Sequence, residues 1–234
     1  MKNGKKMILL TVLCICMAAL FTGCSKVQTE AMTSLVKWDL DSVYLNQHDE
    51  KYLEMCGLTK EEAEENYVLG VEYEASFFAY YWGITDEVNV TYTDLEEELQ
   101  NSIYEICDTL SKSAKYEVKS SAKQEDGTYS VKVTVEPIDV MERAYGLYDS
   151  DEAVNAFFAK TENVDYETIS DEEYLALCNE YGYIIVDLVK GLIPDLGYLE
   201  AKSLNIQVEE IDNLWTLNED DMASFNEYYI SYPY

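Results

Sequence analysis

The fold is indicated most clearly by residues 115–137, which read KYEVKSSAKQEDGTYSVKVTVEP. Apolar and polar residues alternate on both sides of Asp126-Gly127, a dipeptide that favours a tight turn between two strands. The stretch therefore predicts a β-hairpin. Its second strand should stop at Pro137 or lie with that end on a sheet edge, because proline has no amide hydrogen to donate to a β-ladder.

Helical periodicity surrounds this hairpin. Apolar residues fall on one helical face from Met32 to Leu45, and the boxes Thr59-x-x-Glu62, Thr93-x-x-Glu96 and Ser170-x-x-Glu173 are typical of helix starts. Ser150 is predicted to cap a further short helix.

A second strand pair follows the last of these helices. Alternation over residues 204–208 predicts a strand, residues 214–217 are expected to pair with it, and Asn218 is predicted to cap a final helix. We therefore expect an α+β fold, with an antiparallel sheet of about four strands in two hairpins, covered by amphipathic helices. A tandem of two α-α-β-β halves, about 32–140 and 150–234, is the alternative.

The N-terminus indicates export and lipid anchoring. Lys2, Lys5 and Lys6 precede an uncharged apolar stretch, which is shorter than the ~20 residues that a permanent membrane span needs. The following Leu20-Phe21-Thr22-Gly23-Cys24 resembles the lipobox of bacterial lipoproteins, in which the cysteine receives diacylglycerol. This predicts a signal peptide at 1–23, an anchor and linker at 24–31, and an acidic domain at 32–234 on the outer face of the cell membrane.

The charge balance excludes nucleic acid as a partner. The chain has 16 basic and 46 acidic residues, a formal net charge of -30, and loss of 1–23 would remove three lysines and leave -33. Phosphate recognition needs lysines and arginines that neutralise the backbone. Attachment to an anionic membrane must accordingly depend on the lipid anchor and not on a basic surface.

The chain has few of the residues that usually act in catalysis, such as histidine and cysteine. His48, the one histidine, is expected to face water, and Cys107 and Cys178 lie in apolar helical stripes as expected of buried residues. Together with Cys56 these cysteines show no metal-ligand spacing, so neither a metal nor another cofactor is predicted, and spacing leaves a disulfide undecided. We find no phosphate-binding, dinucleotide, zinc-protease or serine-hydrolase motif.

Tyrosine is abundant, with 21 residues. The cluster Tyr73, Tyr80, Tyr81 and Trp82 is a candidate ligand platform, because aromatic rings join a large apolar area to a polar tip. Packing in an ordinary core is the competing interpretation.

Several segments resemble an uncharacterised lipoprotein family of Gram-positive bacteria. They are Leu40-Asp41-Ser42-Val43-Tyr44, the acidic helix from Thr59, Lys115-Tyr116-Glu117-Val118 and the strand ending at residues 133–139. The resemblance implies an extracytoplasmic lipoprotein domain, distantly similar to cystatin-like or NTF2-like α+β folds, and implies no known activity.

We therefore expect a lipid-anchored, non-catalytic binding or structural module. Its partner would be a cell-envelope protein or glycan, in addition to the membrane that holds the lipid. The alternative is a lipoprotein hydrolase that uses carboxylates which no motif identifies.

Overall fold

The computed structural model describes residues 16–17, 25–166, 168–211 and 214–233. Within these ranges the chain forms eight α-helices and five strands. The helices are α1 (Ser25–Leu45), α2 (Glu50–Cys56), α3 (Lys60–Tyr81), α4 (Glu97–Lys112), α5 (Val140–Tyr148), α6 (Glu152–Thr161), α7 (Asp171–Lys190) and α8 (Glu219–Tyr229). The strands are β1 (Cys16–Met17), β2 (Lys115–Lys123), β3 (Tyr129–Glu136), β4 (Lys202–Ile211) and β5 (Leu214–Leu217).

The two predicted hairpins belong to one sheet. All its pairings are antiparallel, in the order β1-β5-β4-β3-β2, and the two-residue β1 only extends the edge beside β5. The central contact is the pairing of β3 with β4, which joins the first hairpin to the second. The predicted α+β class, with a sheet of about four antiparallel strands covered by helices, is confirmed.

The chain divides into two compact units that interleave along the sequence. The sheet unit contains the described residues up to Gly70, with Ala114–Pro137 and Glu200–Tyr229, and the helical unit contains Val71–Ser113, Ile138–Leu199 and residues 230–233. These boundaries differ from those of the sequential halves 32–140 and 150–234, because each unit recruits segments from both halves.

In the sheet unit, helices α1 and α8 cover the strands. Helix α1 packs against β2 and helix α8 against β4. The valines at 131, 133 and 135 of β3 are fully buried, and burial of each such side chain contributes about 1.5–3 kcal/mol. The alternation seen in the sequence therefore gives one core-facing side of β3.

In the helical unit, α7 is the central helix. It contacts α4, α5 and α6, and Gly182 of α7 lies against Leu99 of α4. A Cβ at Gly182 would lie 2.6 Å from Leu99 Cδ2, so a residue without a side chain is needed at this crossing.

The linker expected at 24–31 is instead helical from Ser25. The side chain of Ser121 donates a hydrogen bond to the Thr29 carbonyl at 2.6 Å, and the Tyr129 hydroxyl donates to Gln28 Oε1 at 3.1 Å. These bonds to β2 and β3 hold the first turns of α1 on the sheet, which local composition alone does not show.

Two of the predicted helix starts are shifted. The box expected at Thr93 and Glu96 is formed by Thr91 and Asp94 around a short 3-10 turn, and α4 begins only at Glu97. Helix α6 is capped by Asp151, whose carboxylate accepts from two backbone amides, and not by Ser150. The boxes at Thr59 and Ser170 and the Asn218 cap are confirmed.

Two short helices, α2 and α5, are absent from the sequence-based prediction. Helix α2 is capped by Asp49 and is followed by Gly57, whose φ of 65° is left-handed. Helix α5 has no side-chain cap at its start, so the local sequence does not mark where the helix begins. No helix among the described residues combines the length and apolarity required to cross a membrane.

Candidate functional site

Aromatic side chains from five segments of the helical unit converge on one open pocket, which we call the aromatic cup. Its volume is about 320 Å³, within the range of small-molecule sites. Seven of its ten lining residues are aromatic, and none carries a formal charge at neutral pH. The lining consists of Trp82, Gly83, Tyr148, Phe157, Phe158, Tyr166, Tyr174, Leu177, Cys178 and Tyr181.

Helix α7 forms one wall of the cup. The capping box of Ser170 and Glu173 fixes its first turn, with reciprocal bonds between each side chain and the other residue's backbone amide. Tyr174, Cys178 and Tyr181 then follow at helical spacing, so they lie on the same face of α7.

Helix α6 supplies the facing rings. Phe157 is buried, and its centroid lies 5.1 Å from that of Tyr181. Phe158 is 48% exposed and lies edge-on to Phe157 at 5.7 Å. A large apolar ring that stays half exposed beside a cluster of rings is suited to contact a ligand.

The end of α3 supplies the remaining indole. Trp82 follows the last residue of α3, and Gly83, with φ of 70°, turns the chain away from the helix. The Trp82 ring lies 5.8 Å from Tyr148, and its Nε1 is buried without a hydrogen-bond partner among the described residues. Trp82 therefore contributes a ring and no polar bond of its own.

Two hydrogen bonds fix three of the four tyrosines of the cup. The hydroxyls of Tyr148 and Tyr181 lie 2.6 Å apart, and burial together with this bond raises the pKa of Tyr181. The Tyr174 hydroxyl donates to Asp86 Oδ2 at 3.3 Å, and burial is the main cause that raises the Tyr174 pKa to about 12. Both groups are neutral at pH 7, so they act as hydrogen-bonding groups and not as bases.

Asp86 is held as a carboxylate by its loop. Its Oδ1 accepts the amide hydrogens of Val88, Asn89 and Val90 at 2.7–3.1 Å, and Oδ2 accepts from the side chain of Asn89. Burial acts to raise the pKa of Asp86, but these hydrogen bonds together lower it well below its ordinary value. The loop thus places a fixed negative charge beside Tyr174.

The helical unit as a whole is strongly anionic. It contains 24 acidic and 4 basic residues, a formal charge of -20. Each of the four cations is paired with a carboxylate of the same unit: Lys112 with Asp108, Arg143 with Asp139, Lys160 with Glu180, and Lys190 with Glu105. The field around the cup is therefore negative, and its cations are already engaged.

The thiol in the cup is a weak nucleophile. Burial, the largest effect, and the nearby Asp86 raise the pKa of Cys178, so the thiolate is scarce at neutral pH. Burial likewise raises the pKa of Cys107, which is fully buried. Cys107 and Cys178 are free thiols among the described residues, and their expected burial is confirmed.

His48 lies in the sheet unit and is half-buried, whereas the sequence indicated a water-facing side chain. Its Nε2 lies 2.9 Å from Asn46 Oδ1 and its Nδ1 lies 2.8 Å from Ser42 Oγ. Because an amide oxygen only accepts, Nε2 carries the hydrogen and Nδ1 accepts from Ser42. The cavity beside Ser42 measures about 10 Å³, room for one water and none for a substrate.

Of the four predicted platform residues, Trp82 lines the aromatic cup. Tyr80 is 49% exposed on α3, and Tyr73 has a buried hydroxyl with no partner among the described residues. Tyr81 donates to the Pro233 carbonyl at 2.6 Å and packs on Tyr232 at 4.7 Å. The platform stays a prediction, and the predicted lipidation site Cys24 lies outside the described residues.

Phe157, Phe158, Tyr174 and Tyr181 belong to the apolar stripes of the helices predicted after Ser150 and Ser170, but helical periodicity does not join them into a site. Periodicity identifies which face of a helix is apolar, but it does not distinguish a ring that fills a core from a ring that lines a pocket. The density of aromatic residues between Tyr148 and Tyr183 was the available signal.

Comparison with known proteins gives one match in fold. No family model matches the chain, and no curated protein sequence is significantly similar to it. The crystal structure of YcdA, a Bacillus subtilis protein assigned as a lipoprotein, superimposes with a TM-score of 0.50 at 16% identity. The match covers 88% of this chain and 60% of YcdA, so the chain spans about three fifths of that protein. The predicted resemblance to a Gram-positive lipoprotein of unknown function is confirmed at the level of the fold.

Proposed function

We propose that this protein is a lipid-anchored, extracytoplasmic binding module that takes up a small ligand in the aromatic cup and does not turn it over. The observation that carries the proposal is the composition of the cup: seven rings and no charged side chain around about 320 Å³. Such a lining binds apolar groups, and the negative faces of its rings attract positive charge. It offers no acid, base or activated nucleophile.

The carboxylates support a non-catalytic function. A hydrolase that uses carboxylates needs a general acid, and burial normally raises the pKa of such an acid. Hydrogen bonds lower the pKa of five carboxylates, Glu62, Asp86, Asp94, Asp126 and Glu173, which fits groups that accept bonds in caps and turns and not groups that act as general acids. The described residues also contain no cluster of potential metal ligands.

Lipid anchoring is supported by the lipobox at Cys24 and by the fold shared with a protein assigned as a lipoprotein. Cys24→Ala should release the protein from the membrane fraction or leave it unprocessed, while Cys16→Ala, within the same apolar stretch, should remain anchored. Mass spectrometry of the mature N-terminus checks the assignment. A mature N-terminus other than a lipidated Cys24 would contradict it.

Binding in the cup is tested with N-phenyl-1-naphthylamine, a neutral dye whose fluorescence rises in apolar sites. We expect saturable binding that Phe158→Ser and Tyr166→Ser each weaken by about tenfold, since both rings line the cup and are half exposed. Tyr145→Ser is the matched control, because Tyr145 is equally exposed but lies outside the cup. Equal loss in all three variants, or no binding, would contradict the proposal.

Catalysis is tested separately on the purified protein with glycoside, ester, phosphate and peptide substrates. We expect no turnover above the uncatalysed rate. Turnover that persists through purification and that one carboxylate substitution abolishes would establish the hydrolase alternative.

A further inference from the structure

We infer that the ligand of the aromatic cup is a small organic cation with a quaternary or substituted ammonium group. This inference rests on the proposed binding function and adds the chemical class of the ligand. The faces of aromatic rings carry negative electrostatic potential, and an ammonium group within about 6 Å of a ring centroid is attracted to it. The cup presents seven rings around one space of small-molecule size.

The charges around the cup favour a cation over other apolar ligands. The helical unit has a formal charge of -20, and all four of its basic side chains are paired with carboxylates. The cation nearest in sequence to the rings of α6 is Lys160, and Glu180 holds its Nζ through both carboxylate oxygens at 2.6–2.7 Å. An anionic ligand would meet this field without a free basic group to receive it.

The pocket lining also suits an ammonium group with apolar substituents better than a simple amine. A primary ammonium donates three hydrogen bonds that need acceptors, whereas the side chains of the lining offer no carboxylate or amide oxygen to accept them, only tyrosine hydroxyls and one thiol. Methyl groups on the nitrogen remove that need and gain contact area with the rings. The fixed carboxylate of Asp86 beside Tyr174 adds attraction without contact.

The test compares three probes by calorimetry on the full-length protein, held in phosphatidylglycerol nanodiscs at 150 mM NaCl. The probes are choline, its neutral isostere 3,3-dimethylbutan-1-ol, and phosphocholine, the head group of a choline lipid. We expect choline to bind about tenfold more tightly than the neutral isostere, because only the cation gains from the ring faces. Phosphocholine should bind more weakly than choline, since its phosphate is repelled by the anionic unit.

Ring variants identify the source of the affinity. Tyr166→Leu and Phe158→Leu should each weaken choline binding several-fold, while Tyr166→Phe and Phe158→Tyr, which keep a ring, should bind as the parent does. Tyr145→Leu, outside the cup, should have no effect. All five variants change side chains that are at least 48% exposed, so none should unfold the protein.

The outcomes separate this inference from the proposed function. Three results would contradict a cationic ligand without contradicting the binding function. They are equal affinity for choline and its isostere, no affinity for choline while N-phenyl-1-naphthylamine still binds, and choline affinity that every ring variant retains. Tighter binding of phosphocholine would assign the site to a lipid head group instead. Failure of all probes, including the dye, would overturn the binding function itself.

Discussion

The hydroxyl of Tyr148 lies 2.6 Å from the hydroxyl of Tyr181, and this bond joins the end of α5 to the middle of α7 across the aromatic cup. Tyr181 is buried, whereas Tyr148 is half-buried and water reaches part of it. The two groups are therefore unequal partners.

Because the two tyrosines differ in burial, removal of one hydroxyl should lower the free energy of unfolding more than removal of the other. Tyr148→Phe deprives the buried Tyr181 hydroxyl of its partner and should lower the free energy of unfolding by about 1–2 kcal/mol. Tyr181→Phe leaves only a hydroxyl that water can satisfy, and should cost less. Urea titration of both variants measures the difference. A larger loss in Tyr181→Phe would show that the bond does not have this asymmetry.

Gly182 is expected to tolerate no side chain. Its Cβ would lie 2.6 Å from Leu99 Cδ2 and 3.1 Å from Ile84 Cγ2, and both neighbours are fully buried with little space to move into. Gly182→Ala should therefore destabilise the protein by about 1–3 kcal/mol. Gly146→Ala is the control, because nothing lies within 4 Å of its Cβ position and alanine favours α5 by about 1 kcal/mol.

Thermal and urea unfolding of the two glycine variants should thus shift in opposite directions. If Gly182→Ala were as stable as Gly146→Ala, the close crossing of α4 and α7 would be wrong. Leu99→Ala and Gly182→Ala combined should cost less than the sum of their separate costs, because Leu99→Ala removes the side chain that the new methyl group contacts.

The loop at Asp86 should contribute pH-dependent stability. Its folded pKa lies below the ordinary 3.8, so the unfolded chain binds the proton more readily. The stabilisation is therefore fully present above pH 3.8 and is lost as the pH falls below that value toward the folded pKa.

Asp86→Asn should accordingly cost about 1–2 kcal/mol at pH 7, and this cost should shrink as the pH is lowered from 4 to 2. Urea unfolding at each pH measures it. Asp149→Asn, at an exposed position, should cost little at any pH. A cost for Asp86→Asn that is independent of pH would contradict the charge-based origin of the stabilisation.

The net charge of -30 makes the folded chain repel itself. Raising NaCl from 20 to 200 mM at pH 7 should increase the melting temperature, because salt screens exposed charges over about 10 Å or less. The same series at pH 4, close to the sequence isoelectric point of about 4.1, should show a much smaller increase. A flat or falling melting temperature at pH 7 would exclude repulsion as a significant term.

The sequence predicts the elements of this fold well where the signals are local. Alternation and Asp126-Gly127 predict the hairpin of β2 and β3, and the boxes at Thr59 and Ser170 mark the starts of α3 and α7. Shifts arise where two candidate caps compete within a few residues, as at Thr91 and Thr93. In such places the backbone geometry, which composition does not specify, selects one of them.

The aromatic cup could not be predicted in the same way. Its rings come from segments between Trp82 and Tyr181 that are joined only by tertiary packing. Trp82 was identified as a candidate by the aromatic run at the end of α3, but the same run included Tyr81, which packs against the C-terminal segment. Only the arrangement of α6 and α7 shows which rings share a pocket.

The most direct measurement follows the three tryptophans with 19F NMR on protein labelled with 5-fluorotryptophan. Trp82 lines the aromatic cup, while Trp38 and Trp215 belong to the sheet unit and serve as internal controls. Trp82→Phe assigns the resonance. During titration with choline we expect the Trp82 signal to shift saturably while the other two stay fixed. A Trp82 signal unmoved by choline and by N-phenyl-1-naphthylamine, or equal shifts of all three signals, would contradict a ligand site in the aromatic cup.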